Sequence, residues 1–179
     1  MMRVIGLDIA SSTGAVVRGV MPDDYLNHRL FKVDKGDPSW IKRATWLGAN
    51  VADYAKKHGA YLAVIEGYSF GSSTAMIPLA CLGTMVRYFL GEKGIDFVEV
   101  APGTLKKFVT GKGHSKKDEL RLAVYKTWEF ENSSLDVIDA FGLAQFGIEL
   151  VAPGLGGGPK WRQEVVAKWA QKNKWTLCG

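Results

Sequence analysis

Cysteine and histidine are scarce in this chain, and long apolar runs are missing. Two cysteines in 179 residues, Cys81 and Cys178, with three histidines, give neither the spacing of a zinc site nor a disulfide framework, so both cysteines read as free thiols. No uninterrupted apolar run approaches the roughly 20 residues that a membrane span needs. The start, Met1-Met2-Arg3-Val4, leads into a strand pattern with no apolar or arginine-rich leader, which reads as a soluble, cytoplasmic chain with no membrane partner. Internal repeats are absent too. What is present is ordinary globular composition: 47% hydrophobic residues, enough length for a substantial core, and 23 Lys and Arg against 18 Asp and Glu, a formal charge of +5 that mildly favours a polyanionic partner.

The most informative stretch runs from Val4 to Val17, two short apolar strands joined by a turn of small residues, with Asp8 alone in the first. An unpaired buried carboxylate costs several kcal/mol or shifts its pKa until it neutralises, and a bound cation is the usual relief. Ala63-Val64-Ile65-Glu66 is a second apolar strand, ending on an acid. Ser134-Leu135-Asp136-Val137-Ile138-Asp139-Ala140 opens an apolar helix with acids at i and i+3, which share a face. If Asp8 and Glu66 lie on neighbouring strands and that helix crosses their ends, four carboxylates converge. With no Cys or His nearby, such a donor set suits Mg²⁺, with Mn²⁺ as a substitute.

Taken in order, Asn27 to Val33 reads as a third strand, reached through a turn at Pro22-Asp23-Asp24 and completing a meander. Asp37-Pro38-Ser39 starts a helix that Gly59 stops, and 60–66 is a strand parallel to an earlier one. Residues 72–94 form a helix apolar nearly all round, with Pro78 in its first turn or kinking it; such a helix is sandwiched in the core or half of a subunit interface. A strand at 95–100, a short helix at 102–109 and an amphipathic helix at 115–128 capped by Ser115 follow, with a mobile, basic linker at 110–114. A core helix at 134–151 completes an α/β domain over residues 1–152. The order is that of an RNase H-like fold, a five-stranded mixed sheet flanked by helices. Residues 153–179 read as a flexible Gly/Pro linker and a basic helical tail, with Trp161, Val165 and Trp169 every four residues.

At this point the chain resembles the RuvC-type Holliday-junction resolvases of the RNase H-like superfamily, as a divergent or phage-borne member. The resemblance rests on Gly6-Leu7-Asp8 with Thr13-Gly14, Glu66 at a strand end, the block from Ala101-Pro102-Gly103-Thr104 to His114-Ser115-Lys116-Lys117, and Asp136-Val137-Ile138-Asp139-Ala140, over roughly residues 3–150. Two departures stand out: Ile9-Ala10-Ser11-Ser12 replaces the family's usual Pro-Gly-Ser, and the segment after Pro153 has no counterpart. The resemblance implies a structure-selective, metal-dependent endonuclease acting on four-way DNA junctions, in the cytoplasm or nucleoid, or in a host cytoplasm if phage-encoded. A two-fold symmetric substrate needs paired cuts and hence a homodimer, for which the helix at 72–94 is the candidate interface.

Under this reading Asp8, Glu66, Asp136 and Asp139 hold two metal ions, and Lys117, by its match to the pattern, steadies the transition-state charge. Lys106, Lys107, Lys112, His114, Lys116 and Lys117 contact phosphates, and Tyr68 and Phe70 are the two candidates for stacking on bases of an opened junction. Blander readings stand beside these. Asp136 could complement the helix dipole, the lysines could be a solvated face, and either aromatic could fold back onto the core. Three other functions compete: a less selective branched-DNA or flap nuclease, a sugar-kinase or actin-like ATPase whose first phosphate loop resembles residues 8–14, and a non-enzymatic junction-binding module. Length argues against the ATPase, and the full set of acids against the binding module.

Overall fold

The computed structural model describes residues 2–20, 24–68, 73–156 and 158–176, the side chains of 73–76 excepted. The first three apolar runs form the antiparallel strands β1 (Arg3–Asp8), β2 (Ser12–Gly19) and β3 (Leu26–Lys32). Helix α1 (Trp40–Lys57) begins at Ser39, whose hydroxyl accepts the Lys42 amide and satisfies one of the unpaired donors of the first turn. It delivers the chain to β4 (Ala60–Glu66), parallel to β1. Helix α2 (Ser73–Glu92) then leads to β5 (Asp96–Val100), parallel to β4. The sheet order is β3-β2-β1-β4-β5, the expected mixed five-stranded sheet. Four helices follow: α3 (Pro102–Thr110), α4 (Lys117–Trp128), α5 (Leu135–Val151) and α6 (Lys160–Lys172).

The two faces of the sheet carry separate cores. Ile5, Leu7, Ala63 and Ile65 meet Leu47 and Val51 of α1 and Leu82, Val86 and Leu90 of α2. Val4, Val16, Leu62 and Val64 meet α5, which is buried from Val137 to Val151, with α3, α4 and α6 packed around it. The second face is the tighter one. A Cβ on Gly14 would stand 2.0 Å from the Asp136 carbonyl oxygen, and one on Gly6 2.0 Å from that of Ala140. Only glycine lets the α5 backbone lie against the strands at these two points.

Three local expectations change. Ser115 is not the cap of α4, which begins two residues later with Lys116 at the N-cap. Its buried hydroxyl lies 2.5 Å from that of Thr110 and donates to the Lys112 carbonyl, and Gly111 ends α3 in the left-handed conformation, so the loop expected to be mobile is internally tied. Pro78, expected in the first turn of α2 or kinking it, stands inside the helix. The Gly/Pro segment is clamped as well: both carboxylate oxygens of buried Glu149 accept backbone amides, from Gly154 and Gly156. Composition signals backbone freedom, but here side-chain acceptors in the core remove it. The turn expected at Pro22-Asp23-Asp24 falls largely outside the described residues.

Candidate active site

β1 and β4 run parallel with Leu7 opposite Ile65, so Asp8 and Glu66 finish neighbouring strands at the same edge. Open α/β sheets bind ligands beyond the carboxyl ends of their strands. The Gly67 amide donates to the Val100 carbonyl at 2.9 Å and ties the end of β4 to that of β5. On the other side Thr13, fully buried, accepts the Ala10 amide and donates to the Ala10 carbonyl, fixing the turn after Asp8. Asp8 pairs across the ladder with Gly14, the residue on which the Asp136 backbone rests. The first turn of α5 is thereby placed over Asp8, and Asp139, one turn on, is buried beside it.

The electrostatics record that convergence. Burial first, then the charges of Glu66, Asp139 and Asp136, push the Asp8 carboxyl from its usual 3.8 up to about 9, and Asp8 donates a hydrogen bond to Glu66. Glu66 is raised by burial and by Asp139, against the pull of Lys117 and Lys106. Asp139 is raised by burial and by Asp136, with the same two lysines opposing. Lys106 and Lys117 therefore stand beside the acids, although Lys117 lies on the surface at the start of α4.

All four acids are oxygen donors on three rigid elements, with too few cations to balance them. That donor set fits a hard divalent cation. As the side chains stand, no group of three acids, histidines or cysteines among the described residues gathers into a ligand shell; the fit lies in donor chemistry and placement of the backbones. Lys107, Lys112, His114 and Lys116 are exposed along α3 and the loop after it. Tyr68, one of the two aromatics expected to stack on bases or to fold back onto the core, is half-buried against α2, its hydroxyl close to where a Cβ on Gly83 would fall. Phe70 lies outside the described residues.

Arg87 was missed by the sequence reading. It lines a cleft of about 180 Å³ together with Asp8, Glu66 and Tyr68. Its Nη1 donates to the Tyr68 hydroxyl at 3.1 Å and its Nε to Glu99 at 2.8 Å, while Nη2 is buried without a partner among the described residues. The available signal was that Arg87 is the one charged residue of α2 before Glu92.

No family model matches the chain. It is 25% identical over 151 residues to the crossover junction endodeoxyribonuclease RuvC of Synechococcus sp. (strain WH7803), covering 82% of this chain and 97% of that one. With the RuvC of Bdellovibrio bacteriovorus it shares 26% over 123 residues, 68% of this chain and 73% of the relative. Thermus thermophilus RuvC superposes with a TM-score of 0.68 at 19% identity, over 83% of this chain and 95% of that one. The same protein in complex with a Holliday junction substrate gives 0.69 over 80% and 91%. The chain is thus similar in sequence to two crossover junction endodeoxyribonucleases named RuvC and shares its fold with Thermus thermophilus RuvC.

Proposed function

We propose that this protein is a metal-dependent endodeoxyribonuclease that resolves four-way DNA junctions by paired, symmetric nicks. The observation that carries the reading is geometric: Asp8 and Glu66 end neighbouring parallel strands, and the first turn of α5, which bears Asp136 and Asp139, rests on Gly14 opposite Asp8, with Lys106 and Lys117 close enough to act on Glu66 and Asp139. A pair of Mg²⁺ ions, or Mn²⁺ in their place, held by these four carboxylates would activate the attacking water and stabilise the leaving 3′ oxygen. Lys117 and Lys106 favour the ionised forms of Glu66 and Asp139 and present ammonium groups to charge building on the phosphate. Lys107, Lys112, His114 and Lys116 hold neighbouring phosphates. Residues 1–152 carry the chemistry, and Tyr68 and Phe70 are the two candidates for stacking at the junction centre.

The resolvase reading calls for a symmetric dimer. Leu82, Val86 and Leu90 anchor α2 in the core, while Ile77, Cys81 and Tyr88 leave an exposed stripe along it, a surface suited to a second copy. A less selective branched-DNA nuclease is favoured by one observation, the half-buried Tyr68 engaged with Arg87 instead of presented to bases. Mg²⁺-dependent cutting of a labelled mobile junction, a flap and a linear duplex separates the two. Symmetric nicks confined to the junction and abolished in Asp8→Asn support the resolvase; equal cutting of the flap supports the broader nuclease. No cutting in Mg²⁺ or Mn²⁺ removes the enzyme reading.

A further inference from the structure

The tail from Lys160 carries no part of the motif resemblance, yet it is built into the body. Arg162 is 3% exposed, and its guanidinium donates to the carbonyls of Phe108 and Val109 at 3.1 Å and to the Thr127 hydroxyl at 3.0 Å. Two of those acceptors lie in the last turn of α3, where helix carbonyls have no intrahelical partner and a cation is favoured. Val165 and Val166 enter the core, and the Trp169 ring meets Phe146 edge-on at 5.6 Å. α6 is thus held beside α3 by contacts that leave its other side free.

Between the two helices runs an open groove of about 570 Å³. The α3 wall offers Thr104 and Lys107, with Gly103 and Gly111 presenting bare backbone. The α6 wall offers Lys168 and Lys172, one turn apart, and the partly covered rings of Trp161 and Trp169. Two acids border it. Glu99 is engaged by Arg87 at 2.8 Å, which leaves Glu164 to oppose three exposed lysines. At its Glu99–Ala101 end the groove begins where β5 passes into α3, beside the strand ends that carry Asp8 and Glu66.

We propose that the α3–α6 groove binds the sugar–phosphate backbone of a duplex DNA arm leading away from the candidate active site, with Lys107, Lys168 and Lys172 on its phosphates. The charge excess fits a polyanion, the bare glycines allow a backbone to approach closely, and continuity with the acid cluster puts both on one strand path. The inference rests on the DNA-nuclease reading only for the identity of the polyanion. It gives the tail a function: α6 lengthens the DNA footprint.

The test is fluorescence anisotropy on a linear duplex about two helical turns long, with salt varied between about 50 and 200 mM. Wild type is compared with Lys168→Gln/Lys172→Gln and with Lys57→Gln, a surface change at the end of α1 and at the opposite end of the sheet. The double variant is expected to bind about tenfold more weakly and to lose about 2 from the slope of log affinity against log salt, with Lys57→Gln unchanged. Wild-type affinity and slope in the double variant overturn the proposal, as does an equal loss in Lys57→Gln. A polyglutamate peptide that loses binding while DNA does not would assign the groove to an acidic protein segment and overturn it too. If wild type cuts no DNA yet the double variant still loses duplex affinity, the nuclease reading fails and the groove stands.

Discussion

The two faces of the sheet solve the same packing problem in different ways. Under α1 and α2, branched side chains such as Leu47, Val51, Leu82 and Val86 fill the space between helix and strand. Under α5 that space is closed at two points by glycine, and helix backbone rests on strand backbone. Side-chain packing tolerates small shifts, because rotamers adjust. Backbone contact does not, so the α5 face fixes where Asp136 and Asp139 stand relative to Asp8. The face closed by backbone contact carries the acids, while the other leaves Ile77, Cys81 and Tyr88 of α2 exposed.

Gly14→Val breaks this contrast most severely. Its side chain must push the Asp136 backbone away, destabilising the fold by about 3 kcal/mol or more and lowering junction cleavage on the order of 100-fold in whatever still folds. Leu47→Ala on the opposite face should cost about 2–5 kcal/mol in chemical denaturation, yet leave the folded fraction cutting at near the wild-type rate. Equal losses of activity from the two would erase the distinction.

Arg162→Met sharpens it from the tail side. Three acceptors lose their donor, which should cost about 1–3 kcal/mol, with hydrogen exchange rising first in α6 and the end of α3.

Asp8→Asn runs the other way and stabilises the protein without added divalent ion. In the unfolded chain Asp8 takes up its proton near pH 3.8, in the fold at about 9, so between those values the folded state holds the extra proton. Its contribution is fully present at low pH and is lost as pH rises toward about 9; Glu66 and Asp139, also raised, act with the same sign. The substitution should therefore flatten the decline of Tm with pH and add on the order of 1 kcal/mol near pH 8, about 2–4 °C for a chain of this size. Smallest of all is Tyr88→Ser on the exposed stripe. It should change monomer stability by no more than about 0.5 kcal/mol while weakening self-association in sedimentation equilibrium.

Much of this was legible in the residues. A lone acid in a strand otherwise apolar has few uses, so Asp8 and Glu66 announced themselves, and the i, i+3 spacing put Asp136 and Asp139 on one face. The mixed sheet followed from which connections were turns and which were helices, while the strand order came only with the fold. What stayed hidden depends on partners far along the chain. Ser115 has the chemistry of a cap, but Thr110 and Lys112 engage it first. Arg162 belongs to a basic stretch of the tail, and only the folded chain brings the end of α3 to it. Tyr68 and Arg87 are 19 residues apart and meet because α2 turns back across the strand ends. The glycines at 6 and 14 carry no local signal of what rests on them.

The central claim is that Asp8, Glu66, Asp136 and Asp139 act as one cation site. It is tested most directly by thermal melts near pH 8 with and without millimolar Mg²⁺, for wild type, Asp8→Asn and Asp139→Asn. A ligand that binds only the folded state raises Tm by mass action. The account predicts a clear rise in wild type and little or none in either variant, the variants being the more stable proteins before Mg²⁺ is added. A rise of the same size in all three, or none in wild type, would contradict it.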